Sequence, residues 1–158
     1  MDSLSLDFDV VNLSSQLRVV IDAAIAALFG SLIGWERDRA GKSVGPRTMA
    51  LVGLSAAAIV SIGEVMIEGS DFGDPTRALH AVITGIGFLG AGLIFRNSDR
   101  GPQGMTTAAT VFATASMGVS VGLGFPLAAL GLSLIILIVL RSTHVLEITA
   151  NLKSSQDE

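Results

Sequence analysis

Five nearly unbroken apolar stretches divide this chain, at residues 17–35, 49–67, 78–95, 105–122 and 123–140. Each is close to the roughly 20 residues that carry a helix across a bilayer core. Between them lie AGKSVGP, EGSDFGDP and NSDRGPQG, runs of Gly, Pro and small polar residues that read as short turns. The pattern predicts an all-α polytopic membrane bundle of five transmembrane helices over residues 17–140. Residues 1–16 form a segment outside the membrane, and residues 141–158 a short tail with no room for an independent domain.

Within four of the stretches, small or polar residues recur every third or fourth position. The first carries Arg18, Asp22, Ala26, Gly30 and Gly34, and the second Gly53, Ala57, Ser61 and Glu64. The third carries His80, Thr84, Gly87 and Ala91, and the fourth Thr106, Thr110, Thr114, Gly118 and Gly122. In lipid, helices associate through small residues that let backbones approach and through polar groups that bond across the interface. These stripes predict a tight four-helix core. The fifth stretch ends in LSLIILIVL, which lacks such a face and is expected to lie more exposed to lipid.

Composition supports the membrane reading, with 50% hydrophobic residues, 15% charged residues and a mean hydropathy of +0.65. Soluble domains carry about 25% charged residues. The distribution of basic residues then sets an orientation. Arg37, Arg39, Lys42, Arg47, Arg96, Arg100, Arg141 and Lys153 fall on one side, and only Arg18 and Arg77 on the other, with Asp2, Asp7, Asp9, Glu68, Asp71 and Asp74. By the positive-inside rule the N-terminus is outside and the C-terminus cytoplasmic, which an odd number of spans requires. No Lys or Arg precedes Arg18, so the first stretch lacks the basic start of a cleaved signal peptide and is expected to remain as a span.

Other classes recede. The net charge of -4 and the lack of a basic run argue against nucleic acid. With no Cys and two His, a thiolate or imidazole metal cluster is not expected. Gly85-Ile-Gly-Phe-Leu-Gly90 spells the G-x-G-x-x-G of dinucleotide-binding folds. That motif requires a preceding strand and an acid about 20 residues on, and neither is present. Gly85, Gly87, Gly90 and Gly92 instead predict close helix packing, or a loosened helix whose carbonyls face a polar cavity. No nucleophile stands beside a base, so no catalytic residues and no enzyme activity are expected.

Ionisable residues inside spans are the candidate functional groups, because charge in hydrocarbon is costly unless it is paired or used. Asp22 lies about 7 Å inside its span, with Arg18 one turn away on the same face, placed for an i,i+4 ion pair. Glu64, Arg77 and His80 fall at similar depth, so the five together could form an outward-facing polar pocket. Two carboxylates, Asp22 and Glu64, would suit a hydrated Mg²⁺. On the basic side, Glu36 could pair with Arg47 or Arg96 to lock the loops, while Trp35 suits the interfacial aromatic belt. GxxxG at Gly30–Gly34 and at Gly118–Gly122 could serve contacts within one chain or within a homodimer.

Four blocks, GSLIGWER at 30–37, GPRT at 45–48, GIGFLGAGLIF at 85–95 and GMTTAAT at 104–110, resemble the signature blocks of the MgtC/SapB family in order and spacing. The resemblance covers about residues 15–140. It implies a multi-pass protein of the bacterial inner membrane that supports magnesium homeostasis and adaptation to low Mg²⁺, and in some pathogens virulence. It also implies regulation of partner membrane proteins, the ATP synthase among them, with Mg²⁺ or other cation transport through the acidic pocket as the alternative. The family's motif positions fall on Asp22, Glu36, Arg37, Arg47, Gly85, Gly87, Gly90, Gly92, Thr106 and Thr107. At Thr106 the chain departs from virulence-associated members, which carry Asn there.

Overall fold

The structure, a computed structural model, describes residues 13–67, 74, 76–95 and 104–154, with side chains described to residue 94 in the third helix and 142 in the fifth. Residues 1–12, the loop charges Glu68, Asp71, Arg96 and Arg100, and the side chains of His144 and Lys153 lie outside the described residues. The described chain is all helical, comprising α1 (Leu13–Arg39), α2 (Pro46–Ile67), α3 (Thr76–Phe95), α4 (Met105–Gly122) and α5 (Pro126–Ser154). Pro46 and Pro126 open α2 and α5, where a missing N–H costs nothing and the fixed φ suits a helix start.

Helices α1, α2 and α3 are long and apolar enough to cross a membrane. α4 is 18 residues long and rich in Thr and Ser, yet it occupies the centre of the bundle and packs against all four other helices. Three of its hydroxyls lie inside the bundle: Thr107, Thr110 and Thr114 are all buried. Thr114 Oγ1 donates to the Thr110 carbonyl at 2.8 Å and lies 3.5 Å from Met49 Sδ. Back-bonding to the preceding turn lets a hydroxyl sit in an apolar interior without an orphaned donor.

The seam joining α1, α2 and α4 is built from glycine set against backbone. A Cβ at Gly53 would lie 2.7 Å from the Ala26 carbonyl oxygen, and one at Gly122 would lie 2.6 Å from that of Ala57. Gly30 abuts the Met49 carbonyl and Gly118 that of Gly53, too closely for any side chain. Ala26, Ile33, Met49, Ala57, Val60 and Met117 are fully buried along this seam. The two GxxxG pairs are thus consumed inside one chain and are not free to join two.

The expectation of a core made from the first four helices requires correction at α3. Among its described residues only Val82 is buried, and Phe88 is 80% exposed. The His80, Thr84, Gly87 and Ala91 stripe faces away from the bundle. Two apolar cavities, about 510 and 330 Å³, separate α3 from α2 along Thr48, Val52, Leu89 and Gly92 and along Ser55, Ile59, Val82 and Gly85. The glycine block therefore makes no close approach: nothing lies within 4 Å of a Cβ at Gly85, Gly87 or Gly92, and only the Ala108 methyl, at 3.8 Å, meets Gly90. Nor is the helix broken, since α3 runs unbroken from Thr76 to Phe95.

The fourth core member is α5. As expected it shows lipid a broad face of Leu127, Leu134, Ile135, Ile138 and Val139. It also buries Ala129, Ser133 and Leu140, a narrow stripe at helical spacing that packs on Ile33 and Met117. Glycine is required at two turns. Gly104 starts α4 at φ +91°, and a Cβ there would lie 2.6 Å from the Leu93 carbonyl oxygen of α3. Gly124 turns α4 into α5 at φ +81°. Left-handed φ is costly for residues with a Cβ.

Candidate functional site

Asp22 sits in α1 four residues before Ala26, on the side that meets α2. The Ser61 hydroxyl, on a residue 1% exposed, donates to Asp22 Oδ2 at 2.5 Å, a short charge-assisted bond across the α1–α2 seam. Arg18 Nε lies 3.8 Å from the same oxygen, and the side chains of Arg18 and Asp22 are 45% and 14% exposed. The predicted i,i+4 pair is therefore present. The Arg18 guanidinium extends further, to 3.4 Å from the Cβ position of Gly124, so a side chain there would crowd it. Three elements, α1, α2 and the α4–α5 turn, thus converge at this end.

Among the described residues no hydrogen bond or ion pair joins the remaining members of the predicted pocket to this group. Glu64 is half-buried one turn beyond Ser61 and makes no ion pair among the described residues. Arg77 and His80 are exposed on α3. Their local company is Asp74, which accepts the Thr76 backbone N–H at 2.9 Å and the Thr76 hydroxyl at 2.7 Å and so caps α3. Those two hydrogen bonds, helped by the positive charges of Arg77 and His80, hold the Asp74 carboxyl below the ordinary carboxylate range. The acidic end therefore carries two separate groups, Arg18–Asp22–Ser61 and Asp74–Arg77–His80. Among the described residues no three of His, Cys, Asp and Glu converge as a metal cluster would require.

At the opposite, basic end, α1 carries its buried face through to its last turn: Ala26, Gly30, Ile33, Gly34 and Arg37 all lie on it. Arg37 is 3% exposed, and its Nε and Nη2 have no hydrogen-bond acceptor among the described residues. Next to it in sequence, Glu36 has its Oε2 buried without a donor. Of the expected loop lock, the Glu36–Arg47 pair is not formed, Arg47 being exposed, and Arg96 lies outside the described residues. On the outer side of the helix the Arg39 guanidinium stacks 4.1 Å from the centre of the half-exposed Trp35 ring. Thr107 is buried in α4, whereas Thr106 is exposed and uses its carbonyl to accept from Thr110.

Two features escaped the residue-by-residue reading. Ser61, the partner of Asp22, was legible only as one step of the Gly53–Ala57–Ser61 stripe. Arg37 reads from composition as one more charge in a topology-setting loop. Its spacing of three and four residues from Gly34 and Ile33 is the signal that puts it on the interior face.

A bundle of long apolar helices with small residues at its contacts and few charges within its spans defines a helical membrane protein. A family model described as the MgtC family matches residues 24–148, and the chain belongs to that family. It is 32% identical over 162 residues to an uncharacterised protein of Haemophilus influenzae, covering 99% of this chain and 68% of that one. It is 40% identical over 99 residues to Protein MgtC of Brucella abortus, covering 63% of this chain and 40% of the relative. It is 34% identical over 133 residues to the putative magnesium transporter YhiD of Escherichia coli, covering 80% of this chain and 61% of the relative. The chain thus spans less than half of the Brucella protein. No solved structure matches it.

Proposed function

We propose that this protein is a multi-pass protein of the bacterial inner membrane, with five spans and its basic end in the cytoplasm. It supports magnesium homeostasis by contact with partner membrane proteins. The orientation rests on the skew of Lys and Arg between the two sides, and the magnesium link on family membership and on the names of two relatives. The observation that carries the regulatory reading is the outward stripe of α3, His80, Thr84, Gly87 and Ala91, which is exposed and where Gly87 meets nothing of its own chain. Small residues on a membrane-facing helix let a second helix approach closely. The glycines of α1, α2 and α4 are already occupied, whereas the α3 stripe is open to a partner.

The experiment is growth at limiting Mg²⁺ of cells lacking the protein and supplied with wild type or with Gly87→Leu. Loss of growth rescue at matched expression and unchanged thermal stability is the expected result. Full rescue by Gly87→Leu and by Ala91→Leu would sink the reading.

A second reading, cation transport, draws on the Asp22 carboxylate held by Ser61 within a span. Against it stands the packing: Ala26, Gly30 and Ile33 separate Asp22 from Arg37 along α1 and are all buried. Mg²⁺ flux into liposomes containing wild type, absent with Asp22→Asn at equal insertion, would favour transport.

A further inference from the structure

We propose that the basic end of α1 binds an ammonium-bearing phosphate ester presented as a phospholipid headgroup, with Arg37 holding the phosphate and Glu36 the ammonium. The argument starts from two unmet demands in adjacent residues. Arg37 is 3% exposed and lies on the buried face of α1, yet Nε and Nη2 find no acceptor. A buried guanidinium edge without an acceptor among the described residues carries a desolvation cost. Its Nε–Nη2 edge is a planar fork that matches two oxygens of a phosphate or carboxylate. Glu36 Oε2 is buried with no donor, and so needs an N–H or O–H.

The two residues do not satisfy one another, because consecutive helical positions point about 100° apart. A simple anion would meet the demand of Arg37 and worsen that of Glu36. A ligand carrying both a phosphate and an ammonium answers both.

The setting indicates that a lipid supplies it. Trp35, 52% exposed and stacked with Arg39, marks the level where aromatic rings meet the headgroups. Arg39, Lys42 and Arg47 are exposed around the same helix end, the arrangement that draws lipid phosphates to a membrane surface. Ile33, one turn before Arg37, packs in a cluster with Leu140 of α5, so the site lies where α1 ends against the side of α5. Because the unmatched atoms are closed off from solvent, a headgroup enters by side-chain displacement and leaves slowly. The bound lipid is therefore expected to survive purification. This inference stands apart from the regulatory reading and does not depend on it.

The test is native mass spectrometry of the full chain extracted from vesicles of equimolar phosphatidylethanolamine and phosphatidylcholine. Both lipids carry the phosphate, but the choline ammonium has no N–H to give Glu36. We expect phosphatidylethanolamine to be retained about tenfold or more over phosphatidylcholine in the wild type. Glu36→Met is expected to erase that preference, and Arg37→Met to reduce retention of both lipids. Equal retention by the wild type overturns the proposal, and so does retention unaffected by Arg37→Met. Should Arg37→Met fail to fold, the wild-type preference and its loss in Glu36→Met still decide the matter. Displacement of the lipid by soluble glycerophosphoethanolamine at equal concentration overturns the lipid as source.

Discussion

The glycines of α3, four within eight residues, are denser than those of the α1–α2–α4 seam and opposite to them in use. In the seam, Gly30, Gly53, Gly118 and Gly122 each lie against a carbonyl of a neighbouring helix, as Gly53 does against Ala26 and Gly122 against Ala57. In α3, three of four face open space. A glycine in a membrane helix signals permission for close approach and does not say which helix takes it up. Here the seam spends that permission on the chain's own fold, and α3 keeps it for the surroundings.

The sharpest way to break this contrast is to fill matched positions on both sides. Gly118→Leu must displace the Gly53 backbone, and overpacking of that kind should cost about 3 kcal/mol or more. Gly87→Leu meets nothing and should shift stability by about 0.5 kcal/mol or less. Thermal unfolding in detergent measures both, and similar losses would erase the distinction.

Next in size is the polar contact across the seam. Ser61→Ala strips Asp22 of its one close donor and should cost about 1–3 kcal/mol, read from the same unfolding curves. An unchanged midpoint would mean that water replaces Ser61 without penalty.

The opposite sign is expected at the basic end. Replacing a buried charge that lacks a partner by an apolar side chain of similar length is neutral or favourable, so Arg37→Met in lipid-free detergent should leave stability unchanged or raise it by about 1 kcal/mol. A large fall would make Arg37 a structural residue.

The smallest effect concerns the start of α3. Thr76 lowers the Asp74 pKa from its ordinary 3.8, so the folded chain holds that carboxylate ionised more readily than the unfolded chain does. The cap's contribution is therefore complete above the ordinary value and is lost as pH falls through the lowered one. Amide exchange in the first turn of α3 should speed up over that acidic window while the α1–α2–α4 seam remains protected. Equal acceleration in both would show that α3 does not open separately.

The apolar run lengths alone were enough to locate five helices, because a bilayer-length stretch without charges has few other stable forms. Boundaries moved where turn chemistry intervened: Leu123 and Gly124 leave the fifth stretch for a turn, and α5 starts at Pro126. The Arg18–Asp22 pair was also legible, since it follows from one helix's own periodicity.

Relations between helices required the tertiary structure. His80 and Arg77 share a depth with Asp22 in a linear reading, but depth does not specify azimuth, and α3 turns both away from α1. The same ignorance of azimuth hid Ser61 as the partner of Asp22 and the small inward face of α5. Local periodicity determined that this chain makes amphipathic helices and which residues share a face. Only packing decided which faces meet, because small-residue stripes are alike in chemistry and are told apart by the backbone that lies opposite each one.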